Sequence, residues 1–209
     1  MASSESQEQQ APPTFVMPVD ANGNPAFGPR IEGSLAAWRA EHPAALVANV
    51  EGRQDLTDAD FASLSGLKAL NMSHCDQLSI TDAAFAHLAG IHTLDMSHCS
   101  QGTITDAAFV HLAGIHTLNM SYCMRGTISD AAFAHLAGIH TLNIKWCIQL
   151  SDAAFAHLAG IHTLHMEKCN EYITEAALAH LAGIHSLYMW GCSPQVIAAA
   201  KARGLPVIA

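Results

Sequence analysis

Apolar and polar positions along the chain follow two different periods within one unit, of which residues 80–99 (ITDAAFAHLAGIHTLDMSHC) are an example. In the first half, Phe85 and Leu88 are three residues apart, a spacing that places both side chains on one face of a short helix. In the second half, Leu94 and Met96 alternate with polar residues, which is the period of a β-strand. Each unit is therefore predicted to contain one short helix and one strand.

Local residues indicate where each helix begins and ends. A Thr or Ser precedes the helix as its N-cap, and the acid that follows suits the positive end of the helix dipole. A glycine after the helix, Gly90 in this unit, supplies the positive φ of that position. The caps are Thr57, Thr81, Thr105, Ser129, Ser151 and Thr174, and their acids are Asp58, Asp82, Asp106, Asp130, Asp152 and Glu175.

The unit recurs along most of the chain. The cysteines Cys75, Cys99, Cys123, Cys147, Cys169 and Cys192 are separated by 24, 24, 24, 22 and 23 residues, and a glycine keeps the same spacing. Alone, neither the helix nor the strand could bury its apolar face. Stacked units would form a parallel sheet on one side and a row of helices on the other, which is a solenoid.

The pattern L-x-x-L-x-M-x-x-C followed by ITD-A-A-F-x-x-L resembles the cysteine-containing leucine-rich repeat. This repeat type is familiar from the substrate-binding part of F-box ubiquitin-ligase receptors. The resemblance implies an α/β fold with a curved parallel sheet on the concave side and short helices on the convex side. No F-box is recognisable before residue 56, where apolar positions are few and Pro and Gly are frequent.

Four segments are predicted. Residues 1–30 are rich in Ser, Gln, Glu, Pro and Gly and form a flexible tail. Residues 31–55 form an N-terminal cap, with a helix after Ser34 and a strand near 45–50. Residues 56–192 hold six repeats of 22–24 residues, and residues 193–209 form a C-terminal cap that begins with a helix at Pro194.

Composition narrows the classes of function. The 209 residues carry a formal net charge of −9, which disfavours nucleic acid because its phosphates require a basic surface. No segment reaches the roughly 20 apolar residues that span a membrane, and no signal peptide is evident. A cytoplasmic or nuclear monomer with reduced cysteines is expected. No catalytic motif indicates an enzyme, and no cofactor is implied.

The six cysteines are predicted to form a structural column. Zinc sites use closely spaced pairs such as C-x₂-C, and the chain has none. One cysteine per unit would instead place small thiols above one another at the turn after each strand. Buried thiols of this kind are inert.

The 14 histidines include two further columns. One lies on the outer side of the helices (His87, His111, His135, His157 and His180), and one at the start of the strands (His92, His116, His140, His162 and His185). Duplication of a founding unit explains both columns. Metal binding and a response to pH are alternatives, because stacked imidazoles could hold a metal or repel one another once protonated.

Differences among the copies are concentrated just before and after each strand end, whereas the helix phrase DAAFAHLAG changes little. Variation confined to one face is typical of a binding surface, and aromatic residues dominate interface hot spots. The predicted protein-binding residues on the concave face and its rim are Asn119, Tyr122, Asn143, Lys145, Trp146, His165, Glu167, Lys168, Tyr188 and Trp190.

These patterns predict a non-catalytic module that binds a protein partner. Three alternatives remain open at this point. The chain could be the substrate-recognition subunit of a ubiquitin ligase, a histidine-rich metal-binding or pH-responsive repeat protein, or a designed consensus repeat without a natural partner.

Overall fold

The computed structural model describes residues 15–124, 127–169 and 172–209. These residues form one sheet of eight parallel strands whose order in the sheet follows their order in the chain. The strands are Val47–Asn49 (β1), Ala69–Asn71 (β2), Thr93–Asp95 (β3), Thr117–Asn119 (β4), Thr141–Asn143 (β5), Thr163–His165 (β6), Ser186–Tyr188 (β7) and Val207–Ile208 (β8).

Short helices connect the strands, and many of them are 3₁₀ rather than α. The α-helices are Leu35–Glu41 (α1), Asp82–Phe85 (α2), Asp152–Phe155 (α3) and Pro194–Ala202 (α4). The 3₁₀ helices are Asp58–Leu64, Ala86–Leu88, Asp106–Leu112, Asp130–Leu136 and Ala177–His180. Seven residues of 3₁₀ helix span about 14 Å, against about 10 Å for an α-helix, so the tighter helix covers more distance in a short coil.

The space between helices and sheet is filled by one continuous hydrophobic core. Phe85 and its equivalents in neighbouring coils are fully buried, as is Leu94 in the middle of β3. The turn after each helix has the expected glycine, and Gly90 has a φ of 78°. The predicted α/β solenoid of stacked helix–strand units is therefore confirmed.

The hydroxyl residues from Thr81 onward accept a helix N–H as expected, whereas the hydroxyl of Thr57 instead donates to Asp60 at 2.9 Å. The acids make a more specific contact than predicted. Ala83 donates its N–H to the Thr81 hydroxyl at 3.2 Å. The carboxylate of Asp58, one coil earlier, accepts hydrogen bonds from both the N–H and the hydroxyl of Thr81, each at 2.7 Å. The acid therefore joins two coils in addition to its position in a first helical turn.

Both ends of the core carry additional elements. At the N-terminal end Ser34 caps α1, whose Leu35 is buried in the core, and β1 pairs in register with β2. At the other end α4 precedes β8, which pairs with β7. Part of the predicted tail, residues 1–14, lies outside the described residues. Residues 15–30 are described, and residues 15–27 lie against the sheet.

Candidate protein-binding face

The side of the sheet that is turned away from the helices is termed the open sheet face. In β4–β7 it presents the first and third residues of each strand, because the middle residue is buried. Parallel pairing in register aligns the third residues of successive strands into one row. This row runs Asn71, Asp95, Asn119, Asn143, His165 and Tyr188.

The asparagines of this row are partly used by the fold. The side-chain carbonyl of Asn119 accepts a hydrogen bond from the N–H of Ser121 at 3.1 Å. Asn143 accepts in the same way from Lys145 at 3.0 Å. The amide nitrogen of Asn119 donates to Asp95 at 3.0 Å. These contacts stabilise the turn after each strand, so only part of each carboxamide is available to a partner.

The residues of this row are aromatic in β6 and β7. The rings of His165 and Tyr188 stack with centroids 4.0 Å apart and planes 7° apart. Nδ1 of His165 lies 3.6 Å from Oε1 of Glu167, while Oε2 of Glu167 is buried without a hydrogen-bond partner among the described residues. Burial acts to raise the pKa of Glu167, but the contact with His165 and nearby positive charge leave it below its usual range.

A second row, termed the rim row, lies just past the strands. His74, His98, Tyr122, Trp146 and Lys168 all have a positive φ, between 57° and 62°, and Gly191 follows at 73°. The left-handed backbone turns these side chains over one another at the edge of the sheet. His98 stacks on Tyr122 at 4.4 Å, and Tyr122 lies 6.0 Å from Trp146.

The rim row ends in a cluster of one cation and two indoles. Nζ of Lys168 lies 4.4 Å from the ring centroid of Trp190 and 5.9 Å from that of Trp146. Gly191 leaves room for this lysine, because a Cβ at Gly191 would come within 2.5 Å of the Lys168 side chain. Trp190 remains 59% exposed. The cluster therefore presents a large aromatic surface beside a positive charge.

The histidines at the strand starts form a stacked ladder, termed the histidine ladder. Its members are His92, His116, His140, His162 and His185, with neighbouring centroids 4.4–4.5 Å apart. Nδ1 of each ring is 2.9–3.1 Å from the hydroxyl of the next residue in the chain. Within the described ranges no three His, Cys, Asp or Glu side chains are arranged to hold a metal.

Burial lowers the pKa of several ladder rings. Burial is the main cause for His92, where the charge of Lys68 adds to it, and for His116, where the charge of His92 adds to it. The pKa of His140 is lowered by burial and then by its two neighbours in the ladder. Folding therefore disfavours the charged form of these three rings.

The cysteine column lies between the strands and the helices. Each thiol donates to a main-chain carbonyl of the preceding coil, as Cys99 does to Met72 at 3.1 Å. The other donors are Cys75, Cys123, Cys147, Cys169 and Cys192. Burial raises the pKa of Cys75 to about 11 and that of Cys123 well above its usual range.

The structure places the ten predicted binding residues in the two adjacent rows and the turn positions between them. Whether they bind a partner stays a prediction. Sequence reasoning missed the left-handed conformation of the rim row, which a glycine at position 191 could have indicated. It also missed Phe15 and Met17, which lie against the sheet and belong to the short apolar run FVMPV at residues 15–19.

The comparisons with known proteins bear on the fold. No family model matches the sequence, and the search of curated proteins finds no match. Three of the similar solved structures are TLR13 in complex with ssRNA13, the Rad7–Elc1 complex from yeast and human 5T4. Their TM-scores are 0.52, 0.55 and 0.52, with sequence identities of 17%, 16% and 21%.

The matches cover 64%, 74% and 71% of this chain in the same order. They cover 20%, 44% and 62% of those proteins, so the chain spans less than two thirds of each. These neighbours are leucine-rich-repeat proteins, and the predicted leucine-rich-repeat solenoid is confirmed. The cysteine-containing subtype and the F-box association stay predictions.

Proposed function

We propose that the protein is a non-catalytic interaction module that binds a protein partner on the open sheet face and the rim row. The main footprint covers the third to sixth repeats. Its centre is the Lys168–Trp190 cluster, flanked by the stacked pair of His165 and Tyr188.

The observation that carries this proposal is the exposure of Trp190 next to an ordered cation. An indole that is 59% exposed, with Nζ of Lys168 4.4 Å from its centroid, offers a large apolar area for a partner to bury. Tryptophan is enriched among interface hot spots, and a held lysine loses little further side-chain freedom on binding. On the helix side of the described residues, a similar contact occurs in the N-terminal helix α1, where the guanidinium of Arg39 lies 5.1 Å from the centroid of the partly buried Trp38.

Other partner classes are less well supported. The TLR13 neighbour was solved with a single-stranded RNA, but the net charge of −9 in this chain opposes binding to phosphates. The Rad7 neighbour was solved with the protein Elc1, which is compatible with a protein partner. A role in ubiquitin ligation would require a docking surface for a ligase, and the described residues show no helical F-box module. No helix in the described part of the chain is long and apolar enough to cross a membrane.

The test is the double variant Trp146→Ala/Trp190→Ala. Candidate partners are isolated by cross-linking to the full chain, purified, and titrated against wild type and variants. The double variant should lower the affinity by about tenfold or more, since each indole is a candidate hot spot. Val110→Ala is the matched control, because Val110 is exposed on the helix side and the neighbouring repeats carry alanine there. A purified partner that binds the double variant as tightly as wild type would place the footprint elsewhere.

A further inference from the structure

Residues 15–27, termed the strap, lie across the open sheet face. The strap folds back on itself through an antiparallel bridge between Val19 and Pro25. At its start, the ring of Phe15 meets His92 edge-on, with centroids 5.2 Å apart. Further along, Phe27 lies beside strand residues of the middle repeats. A peptide of the chain itself is therefore seated on the surface proposed to bind a partner.

The first three side chains of the strap alternate between the sheet and solvent. Phe15 and Met17 are partly buried, whereas Val16 between them is 81% exposed. Met17 lines the same cleft as Thr117 and Thr141, the first residues of β4 and β5. Alternation of side chains is typical of an extended backbone. The strap therefore shows that the open sheet face accepts a peptide in extended conformation.

Hydrogen bonds shape the strap without fixing it to the sheet. Those that the structure gives to residues 15–27 close within the segment. Asp20 accepts from the N–H groups of Asn22 and Asn24 at 2.8 and 2.9 Å, and Ala26 donates to Pro18 at 2.8 Å. The contacts with the sheet are made by side chains, which makes the strap separable from the repeats without breaking their hydrogen bonds.

The fit between strap and sheet is incomplete. Two clefts of about 400 and 520 Å³ separate them. The smaller cleft is lined on the sheet side by Asn119, Asn143 and His165, which belong to the predicted binding set, and on the strap side by Asn24 and Phe27. Well-matched partners instead pack against each other at the density of a protein interior. The sheet thus has unused contact area under a resident segment.

We propose that the open sheet face is a peptide-binding surface and that the strap is its resident occupant. The partner it fits is an extended segment with apolar side chains two residues apart, which replaces the strap and fills the adjoining clefts. The proposal rests on the proposed function, because the displaced strap uncovers the same Asn119, Asn143 and His165. A partner then binds more weakly than its contacts alone would give, since it must first displace the strap.

The test uses the full chain and a labelled synthetic peptide of residues 15–27 (FVMPVDANGNPAF). Phe15→Ser/Met17→Ser removes the two side chains that the strap turns toward the sheet. Val16→Ser is the matched control, because Val16 is turned toward solvent. Fluorescence anisotropy measures peptide binding to each protein, and hydrogen–deuterium exchange reports whether the strap is released. A second peptide, with serine in place of Phe15 and Met17, measures any binding that does not depend on these two side chains.

The double variant should bind the unmodified peptide about tenfold or more tightly than wild type or Val16→Ser, because its surface is vacant for a larger fraction of the time. The serine peptide should bind none of the three proteins. Equal binding to all three proteins would overturn the proposal, as would absence of binding when exchange shows the strap released. A strap that stays protected in the double variant would overturn it as well, because Phe15 and Met17 would not hold the segment.

These outcomes are independent of the test of the proposed function, since no partner protein is involved. If the strap peptide does not bind, but a partner protein depends on Trp146 and Trp190, the strap is not an occupant of the sheet. The proposed partner site is then retained. If Phe15→Ser/Met17→Ser binds the strap peptide, but no partner protein depends on Trp146 and Trp190, the proposed function fails. The open sheet face is then a surface that binds extended peptides.

Discussion

Asp82 and Thr105 are joined by two hydrogen bonds that connect one coil to the next. The carboxylate accepts from the N–H and from the hydroxyl of Thr105, each at 2.7 Å. The same pairing joins Asp58 to Thr81, Asp106 to Ser129, Asp130 to Ser151 and Asp152 to Thr174. The stack is therefore linked on the helix side by charge-assisted hydrogen bonds, in addition to the sheet and the core.

Replacing this carboxylate should weaken the stack. We expect Asp82→Ala to lower the free energy of unfolding by about 1–3 kcal/mol, because two donors of Thr105 lose a charged acceptor. Urea denaturation measures the change. Asp76→Ala is the control, since Asp76 is exposed in the loop after Cys75. Equal effects of the two substitutions would show that the pairing contributes nothing beyond general surface charge.

Local patterns were sufficient to predict the helix–strand unit. The spacing of Phe85 and Leu88, the alternation around Leu94 and the position of Gly90 each depend on only a few neighbouring residues. The contact between Asp82 and Thr105 could not be predicted in the same way. It depends on how two coils are aligned in space, and the acid's place in the first turn of its own helix already had a sufficient explanation in the helix dipole.

The candidate site was predictable in position, whereas its backbone conformation was indicated only by Gly191 in the last copy. Comparison of the copies singled out Tyr122, Trp146 and Lys168, yet their left-handed backbone follows from the turn after the strand, for which these residue types show no preference. The strap could not be predicted as a contact either. Its apolar residues occur once, so no repeat assigns Phe15 or Met17 a place on the sheet.

Thiol reactivity should follow position in the column. At about pH 8 we expect iodoacetamide to modify Cys192 first, because it is only partly buried, while burial still raises its pKa to about 11. Cys123, in the middle of the stack, should react only as fast as the coils open. Peptide mass spectrometry of timed samples distinguishes the six thiols, and urea-unfolded protein gives their unprotected rates. Equal native rates for Cys123 and Cys192 would show that the middle coils open independently of the rest.

The histidine ladder should make folding sensitive to mild acid. Burial and neighbouring rings lower the pKa of His116 and His140 in the folded chain. Below the unfolded histidine pKa of about 6.5, the unfolded state therefore binds more protons, and stability falls as the pH drops through the folded pKa values. We expect the free energy of unfolding to be lower at about pH 5 than at about pH 7.5. Glu167, whose pKa is also lowered, acts in the same direction only below its ordinary value of 4.5.

Two matched variants separate the ladder from the other histidines. His116→Gln removes a titrating ring from the middle of the ladder and should reduce the loss of stability between the two pH values. His111→Gln is the matched control, because it removes a histidine of the outer column that lies within the helix Asp106–Leu112 and outside the ladder. Urea denaturation at both pH values provides the comparison. A flat stability profile for the wild-type chain would exclude coupled charging of the ladder.

Gly191 should prove necessary for the cluster of Lys168 and Trp190. Its φ of 73° is unfavourable for a residue with a Cβ, and that Cβ would lie 2.5 Å from the Lys168 side chain. We expect Gly191→Ala to lower the free energy of unfolding by about 1 kcal/mol, because the backbone is strained and the lysine must move off the indole. Removal of the cation should also change the tryptophan emission spectrum, in the direction that Lys168→Gln produces without backbone strain. Gly102→Ala is the control, because its Cβ would meet only Thr127, at an ordinary 3.8 Å. If Gly191→Ala leaves both the stability and the emission of wild type unchanged, the glycine is not what holds Lys168 against Trp190.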